Sequence, residues 1–291
     1  MKKDFFEKIL IYGILLLWTF VCLFPIYWTA TTSFKTAASV TQGLLIPWLD
    51  FEPAWKGWKN LGLSPDTIFT ESNPREEFLA RFFNTAFISS TASALAVIMG
   101  SFAAYGLSRF NYKFGFMRNP DISFFFLSQL ILPPVVLALP VLVLYRELEL
   151  LDTHIGMILI YTLTVLPIVI WIMRDQFNAV PIELEEAALV DGATVWGGFF
   201  KIVFPIVLPG LASAFILCLI LCWNEYFLAA LITSTDAKTM PVMVASQISS
   251  QSIKWWNMAA ISLALCFPLI VAAIFLERYI VKGMAAGAIK G

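Results

Sequence analysis

Charged residues are scarce in this sequence, which excludes an ordinary water-soluble protein. Only 13% of the 291 residues are Asp, Glu, Lys or Arg, whereas 59% are hydrophobic. A soluble domain carries about a quarter charged residues. Too few polar groups remain to cover a water-facing surface, so we expect lipid to surround much of the chain. The formal net charge of -1 gives no reason to expect a nucleic acid as a partner.

Histidine and cysteine are also scarce, which argues against several kinds of chemistry. The one histidine, His154, stands at the start of an apolar run and lacks the partners that a zinc or catalytic site would need. Cys22, Cys218, Cys222 and Cys266 all fall inside apolar runs, where they are expected to be small buried hydrophobic side chains. We therefore expect no catalytic residue, no metal and no cofactor bound by this chain.

Long apolar runs are what the sequence has in abundance, and six of them are long enough to cross a bilayer, which takes about 20 residues. They cover residues 9–30, 82–107, 122–145, 155–173, 206–232 and 258–280. Lipid satisfies no backbone N–H or C=O group, so each run must be helical. The prediction is an all-α, polytopic membrane protein with six transmembrane helices.

Proline is frequent inside these runs and predicts kinks, because it removes a helical hydrogen bond. The residues concerned are Pro25, Pro133, Pro134, Pro140, Pro167 and Pro268. Kinked helices can bend around a cavity, which suits a transport protein.

Three regions follow from this pattern. Residues 1–30 are a retained transmembrane helix, since the run is too long for a signal peptide and lacks a cleavage site. Residues 31–81 are polar and rich in Trp and Pro, and they form either a small folded cap or an ordered but inert loop on the extracytoplasmic side of the membrane. Residues 82–291 are a core of five further helices. Basic residues crowd the short connection at 109–118, which places that connection and both termini in the cytoplasm.

The connection between the fourth and fifth spans, residues 178–205, has the features of a short helix followed by a bend. Pro181 suits a first helical turn, and the acids that follow, among them Glu186, complement the helix dipole. Gly192 permits the chain to turn. An apolar run then leads into the fifth span. The apolar and small faces of this connection must pack against another surface. That surface belongs either to a cytoplasmic protein partner or, as the alternative, to the membrane alone.

This connection resembles the EAA loop of binding-protein-dependent ABC importer permeases, which is written E-A-A-x3-G-x9-I-x-L-P. The matching residues are Glu186, Ala187, Ala188, Gly192, Ile202 and Pro205. Phe204 replaces the usual leucine and keeps an apolar side chain there. Asp191 also fits the sugar-type variants of the loop.

The resemblance extends over nearly the whole chain. Segments 84–85, 103–109, 151–154 and 223–227 are similar to the carbohydrate-uptake subfamily of these permeases. The tail 281–291 resembles the C-terminus of the second permease subunit of maltose-type transporters. In that family the tail reaches between the ATPase subunits, which implies such a position for Gly287, Lys290 and Gly291.

The resemblance implies a permease subunit of the bacterial inner membrane that imports a sugar or sugar-like solute. Implied partners are a second, non-identical permease, a dimer of ATPase subunits and an extracytoplasmic solute-binding protein. The chain has no Gly-x4-Gly-Lys-[Ser/Thr] phosphate loop, so ATP and magnesium are expected at the partner ATPase. The docking of the helix that contains Glu186 on that ATPase would transmit its movement to the membrane helices.

Polar residues inside spans are candidates for solute contact, because they are costly in lipid. They are Gln129, Trp223, Asn224 and Glu225. The alternative is that the last three form a hydrogen-bonding set that fixes the fifth helix against its neighbours. Alternative functions are an ABC permease for another solute, such as a phosphorylated polyol, and a secondary transporter. A membrane-embedded enzyme is a third, although it would need a polar cluster that His154 alone does not supply.

Overall fold

The computed structural model describes residues 2–70, 72–249 and 252–288, and within them the chain is mostly helical with almost no strand, which confirms the all-α prediction. The α-helices are α1 (Lys2–Thr32), α2 (Ala37–Thr41), α3 (Lys56–Lys59), α4 (Asn73–Arg109), α5 (Asn119–Ser128), α6 (Ala138–Glu147), α7 (His154–Ala179), α8 (Glu183–Val190), α9 (Val195–Gly198), α10 (Phe204–Trp223), α11 (Phe227–Ile232), α12 (Met240–Ala245) and α13 (Trp255–Ala288). A hairpin follows α4, and its two antiparallel strands of two residues each are β1 (Lys113–Phe114) and β2 (Met117–Arg118).

Five described segments are long and apolar enough to cross a membrane. They are Glu7–Thr32, Asn73–Arg109, His154–Ala179, Val195–Trp223 and Trp255–Ile274. A sixth crossing is present if the bent pair Asn119–Ile131 and Pro134–Glu147 counts as one. The second of the five begins at Asn73, nine residues before the predicted start at 82.

The predicted third span, 122–145, is not a single helix. Its two halves meet at 91° across a break of a few residues. Leu132 is extended there (φ −69°, ψ 120°), because the residue before a proline is disfavoured in the helical region. Pro133 and Pro134 also lack the N–H groups that a continuing helix needs. Pro25, Pro167 and Pro268, by contrast, lie inside continuous helices.

The predicted bounds of the fifth span, 206–232, are wrong at both ends. Its helical segment begins at Val195, because α9 continues into α10 through a π-helical turn at Phe199–Val203. It ends at Trp223, and α11 starts separately at Phe227. The Glu225 carboxylate accepts the backbone N–H groups of Leu228 (3.0 Å) and Ala229 (3.2 Å). Such a cap begins a new helix instead of extending the old one.

The chain divides into two compact units, residues 1–80 with 243–268, and residues 81–242 with 269–291. In the second unit, α4, α7 and α10 share the buried core, with Ala96, Val169 and Ala214 fully enclosed. A Cβ atom at Gly100 would lie 2.7 Å from the Val169 side chain. Glycine therefore allows α4 and α7 to approach closely, as small residues do between membrane helices.

In the first unit, the segment that follows α1 has a packed interior. Phe34 lies edge-on to Trp55, with ring centroids 5.0 Å apart. The Lys35 side chain is only 1% exposed, and its Nζ lies 4.3 Å from the centroid of the Trp28 ring. Burial lowers the pKa of Lys35 from its usual value. The cation–π contact offsets part of the cost of burying this charge.

Candidate coupling site

The connection between α7 and α10 contains the short helix α8, which ends in a tight reversal. The N–H of Gly192 donates to the carbonyl of Leu189 (3.1 Å), and the N–H of Ala193 donates to that of Ala188 (2.9 Å). This pair of bonds is a Schellman C-cap, which requires a left-handed residue. Gly192 supplies it with φ +86°, and a Cβ atom there would meet nothing within 4 Å. The backbone conformation, and not space, is therefore what requires glycine.

Replacing Gly192 with valine should consequently strain the turn, because a β-branched residue with positive φ is an outlier. We expect the variant to unfold at a lower temperature than the wild type, while it still inserts into membranes. Gly192→Asn is the matched control, since asparagine tolerates the left-handed conformation. Equal unfolding temperatures of the valine variant and the wild type would contradict this requirement for glycine.

One end of α8 is fastened to the end of α4 by a buried ion pair. Arg109 Nε donates to Glu185 Oε1 at 2.5 Å, and these side chains are only 8% and 13% exposed. The Tyr105 hydroxyl donates to Glu185 Oε2 (2.6 Å). Arg109 Nη2 also donates to the carbonyl of Val180 (3.0 Å), just before α8. Charge-assisted bonds of this kind hold α8 in a defined orientation.

That orientation decides which residues of α8 remain available. Glu186, Ala187 and Asp191 are exposed, together with Gly192. Ala188 is buried, and its Cβ lies 4.0 Å from where a Cβ on Gly198 would stand. The small residues in the loop thus allow α8 to pack against α9, and the side chains of Glu186 and Asp191 remain exposed to solvent.

The remaining predicted coupling residues lie further along. Ile202 is half-buried in the π-helical turn, and Pro205 is exposed at the start of α10. Of the tail residues, Gly287 is in the last turn of α13, whereas Lys290 and Gly291 lie outside the described residues. The roles of all these residues stay predictions.

An aromatic cluster joins the same ends of α4 and α7 to the π-helical turn. Phe199 is 4% exposed, and its ring centroid lies 4.7 Å from that of Tyr105 and 5.8 Å from that of Phe102. Phe177, near the end of α7, packs 5.4 Å from Tyr105. Displacement of α8 would therefore act on three membrane helices through contiguous packed groups.

Sequence reasoning did not identify Glu185, Tyr105 or Arg109 as partners. The signal was present, because residues 103–109 carry part of the resemblance stated above. Nothing in linear spacing, however, says that Arg109 meets a carboxylate 76 positions later. Sequence position also gives no reason to separate Glu185, whose side chain is only 13% exposed, from its exposed neighbour Glu186.

The candidate solute residues of the fifth span all have contacts within the chain. Trp223 is 4% exposed and lies edge-on to Phe82, with centroids 6.0 Å apart. Glu225 caps α11, and its backbone carbonyl accepts the Tyr161 hydroxyl (3.2 Å). Asn224 is exposed, and its Nδ2 donates to the carbonyl of Ile220 (2.8 Å). Trp223 and Glu225 thus have partners within the chain, and the role of all three residues in solute contact stays a prediction.

Gln129 lies where the third span bends. It is exposed in a single 3₁₀ turn, and its Nε2 donates to the carbonyl of Phe125 (3.3 Å). Its role in solute contact stays a prediction.

His154 belongs to a structural cluster at the opposite end of α4. Its Nε2 lies 2.8 Å from Asn84 Oδ1, and Asn84 Nδ2 donates to the carbonyl of Asp236 (2.6 Å). The adjacent Thr85 hydroxyl accepts the N–H of Met240 (2.8 Å). The histidine thus helps to attach the loop before α12 to α4 and to the start of α7.

Asp152 organises the same loop. Its carboxylate accepts the hydroxyl (2.7 Å) and the N–H (3.0 Å) of Ser234, together with the N–H groups of Thr235 (2.8 Å), Asp236 (3.1 Å) and Ala237 (3.1 Å). Burial raises the pKa of this carboxyl, but the hydrogen bonds from Ser234, Asp236 and Ala237 outweigh burial and hold the pKa well below its usual range.

Replacing Asp152 with asparagine should therefore destabilise the protein by about 2 kcal/mol, because an amide lacks the charge and one acceptor oxygen. Because the pKa of the Asp152 carboxyl is lower in the folded protein, ionisation of this group stabilises the fold at pH values above its unfolded pKa of about 3.9. This contribution fades as the pH falls toward the folded pKa. The difference between variant and wild type in thermal unfolding should thus be larger at pH 7 than at pH 4. Asp66→Asn, at an exposed position, serves as the control. A pH-independent difference would contradict this account.

Apolar helices long enough to cross a membrane, one of which is joined by an ion pair to a short acidic helix, are features expected of a transport permease. Residues 96–285 match the family described as "Binding-protein-dependent transport system inner membrane component". Because the match covers more than half of the chain, the protein belongs to this family of ABC importer permeases, and the resemblance seen in the sequence is confirmed.

Known relatives cover the whole chain. It is 31% identical over 280 residues to the trehalose transport system permease protein SugB of Mycobacterium tuberculosis, covering 92% of this chain and 93% of that protein. It is 29% identical over 293 residues to the trehalose/maltose transport system permease protein MalG of Thermococcus litoralis, covering 100% of both.

Among solved structures, the chain is similar to a subunit of a bacterial ABC transporter that is involved in the import of the acidic polysaccharide alginate. The TM-score is 0.71 at 22% identity, and the match covers 96% of this chain and 98% of that one. A likeness at this level of identity supports the fold.

Proposed function

We propose that this permease subunit imports a sugar or sugar-like solute and couples that import to ATP hydrolysis on a separate subunit. The observation that supports the coupling role is α8, an acidic helix with exposed carboxylates that is fixed to α4 by the pair Arg109–Glu185. Support for the solute class comes from the relatives, whose names refer to trehalose and maltose transport.

The coupling begins where α8 docks in a cleft of the ATPase subunit. Glu186 and Asp191 would face basic or N–H donor groups of that cleft, and the methyl side chain of Ala187 would permit close approach. Gly192 sets the bend after α8. The tail residues Gly287, Lys290 and Gly291 would reach toward the same ATPase pair.

Closure of the ATPase dimer on ATP would then move α8. Because Glu185 is bonded to Arg109 and Tyr105, α4 follows that movement, and α10 follows through α9 and the π-helical turn. The membrane helices rock, and the solute pathway changes from outward-facing to inward-facing. ATP and the loaded binding protein act by biasing two conformations that already exist.

The assembly that this mechanism requires contains a second, non-identical permease, two ATPase subunits and an extracytoplasmic solute-binding protein. ATP and magnesium bind at the ATPase, and this chain binds neither. Both termini and α8 lie in the cytoplasm, whereas residues 31–81 lie outside the bacterial inner membrane.

The test is purification of the chain with the subunits encoded beside it, followed by ATPase measurements over a panel of sugars with the binding protein present. We expect one sugar or a narrow group to stimulate hydrolysis in proteoliposomes and to be transported. Transport without an ATPase subunit, driven by an ion gradient, would identify a secondary transporter instead. Stimulation by phosphorylated polyols alone would refute the sugar assignment and leave the coupling role intact.

A further inference from the structure

A polar cleft lies entirely within the unit formed by residues 1–80 and 243–268. Its volume is about 800 Å³, and most of its lining residues are polar. This volume is in the range of pockets that hold small ligands, roughly 300 to 1,000 Å³. The cleft is formed by α3, the residues around the start of α4, the end of α12 and the start of α13, outside the coupling site.

Three amide side chains form a connected row in the cleft. Asn60 Nδ2 donates to Asn257 Oδ1 (3.0 Å), and Asn257 Nδ2 donates to Gln247 Oε1 (3.1 Å). Asn257 is 5% exposed, so it is held firmly in the middle of the row. Asn60 is exposed at one end and keeps its carbonyl oxygen and a second N–H available to the cleft. Such a group can both accept from and donate to neighbouring hydroxyl groups.

Further polar groups of the cleft have unused hydrogen-bonding capacity. The ammonium groups of Lys59 and Lys254 are exposed and have no hydrogen-bond or ion-pair partner among the described residues. The Ser72 hydroxyl is buried in the wall and has no partner there either. Glu77 also lines the cleft and takes part in interactions of its own. Polar groups gathered in a concave site without partners are suited to an oxygen-rich ligand.

We propose that this cleft is a saccharide-binding site on the permease itself, separate from the membrane spans. A saccharide presents vicinal hydroxyls that donate and accept, which match the amide row, and the two lysines would donate to its oxygens. A concave polar cleft with a rigid amide floor fits a small hydroxyl-rich ligand better than a protein surface, because protein interfaces have an apolar core. The proposal rests on the proposed function for its solute class.

The test uses the complete transporter, with its partner permease and ATPase dimer, in nanodiscs without the solute-binding protein. Binding of trehalose, maltose and an acidic oligosaccharide is measured by saturation-transfer NMR. Ser246→Trp would fill the cleft from an exposed lining position. Thr70→Trp is the matched control, because Thr70 is an exposed hydroxyl residue of the same unit that does not line the cleft.

We expect at least one saccharide to bind the wild type, and its Kd to rise about tenfold or more in Ser246→Trp but less than about twofold in Thr70→Trp. The double variant Lys59→Gln/Lys254→Gln should weaken the binding of the same saccharide without adding bulk to the cleft. Absence of binding to the wild type, or equal binding by Ser246→Trp, would overturn the proposal.

Two further outcomes separate this proposal from others. If Ser246→Trp leaves saccharide binding intact but weakens docking of the solute-binding protein, the cleft is a protein contact and the proposal is refuted. Failure of every sugar to stimulate ATPase activity would refute the proposed function. The NMR titration tests saccharide binding in the cleft independently of the proposed function, since it requires neither ATP hydrolysis nor the solute-binding protein.

Discussion

Replacement of Glu186 with lysine should abolish solute uptake and weaken association with the ATPase subunit, while membrane insertion is retained. Glu186 is exposed, and its side chain has no hydrogen-bond or ion-pair partner among the described residues, so misfolding would not explain the loss. It reverses a charge that the docking cleft is expected to meet with donor groups, and like charges across an interface cost several kcal/mol. The measurements are uptake into proteoliposomes and co-purification of the ATPase subunit.

Glu183→Lys is the informative control for that experiment. Glu183 is exposed on the same helix and undergoes the same change of charge. It lies nearer the start of α8, where a positive charge opposes the helix dipole more strongly. If loss of helix stability were the cause, Glu183→Lys would be the more damaging change. Equal loss of uptake in both variants would count against a specific contact at Glu186.

Loss of the ion pair between Arg109 and Glu185 should have the second large effect. Arg109→Ala leaves the Glu185 carboxylate buried without its cation, and removing one partner of a buried pair costs about 3 kcal/mol or more. We expect lower thermal stability of the complex and ATPase activity that no longer responds to solute, because α8 is no longer bonded to α4. Stability and solute-stimulated hydrolysis are measured on the same preparations.

A double-mutant cycle separates the pair from the effects of the single residues. Arg109→Gln/Glu185→Gln removes both charges, so its destabilisation should be smaller than the sum of the two single changes. Lys113→Ala, at an exposed position on β1, controls for loss of a basic residue from the same connection. Additive effects, or a normal solute response in Arg109→Ala, would show that this pair does not transmit movement from α8.

The failures of sequence-based prediction concern the ends and continuity of helices. Apolar content located the spans, because an apolar segment of about 20 residues in lipid must satisfy its own backbone hydrogen bonds, which a helix does. Apolar content does not distinguish a continuous helix from two helices, and it missed the 91° break at Pro133. At Glu225 the run of apolar residues continued, but a carboxylate cap starts a new helix within it.

The candidate site shows the same division. The pattern from Glu186 to Pro205 pointed to the coupling loop, because it combines acidic, small and turn-forming residues at set spacings. Which of the acidic side chains faces inward depends on a contact with α4, and that contact joins residues 76 positions apart. The polar cleft likewise brings Asn60 to Asn257, which are separated by 197 positions.

The amino-acid sequence by itself determined a helical membrane protein of the ABC importer permease family, and it predicted an EAA-type loop. Those conclusions depend on local composition and spacing, which the chain carries without folding. Only the tertiary structure decided where the third and fifth spans break, that Glu185 anchors α8 while Glu186 stays exposed, and that amides from distant segments share one cleft. The physical reason is that such features depend on side chains brought together by packing, and linear distance along the chain does not specify those contacts.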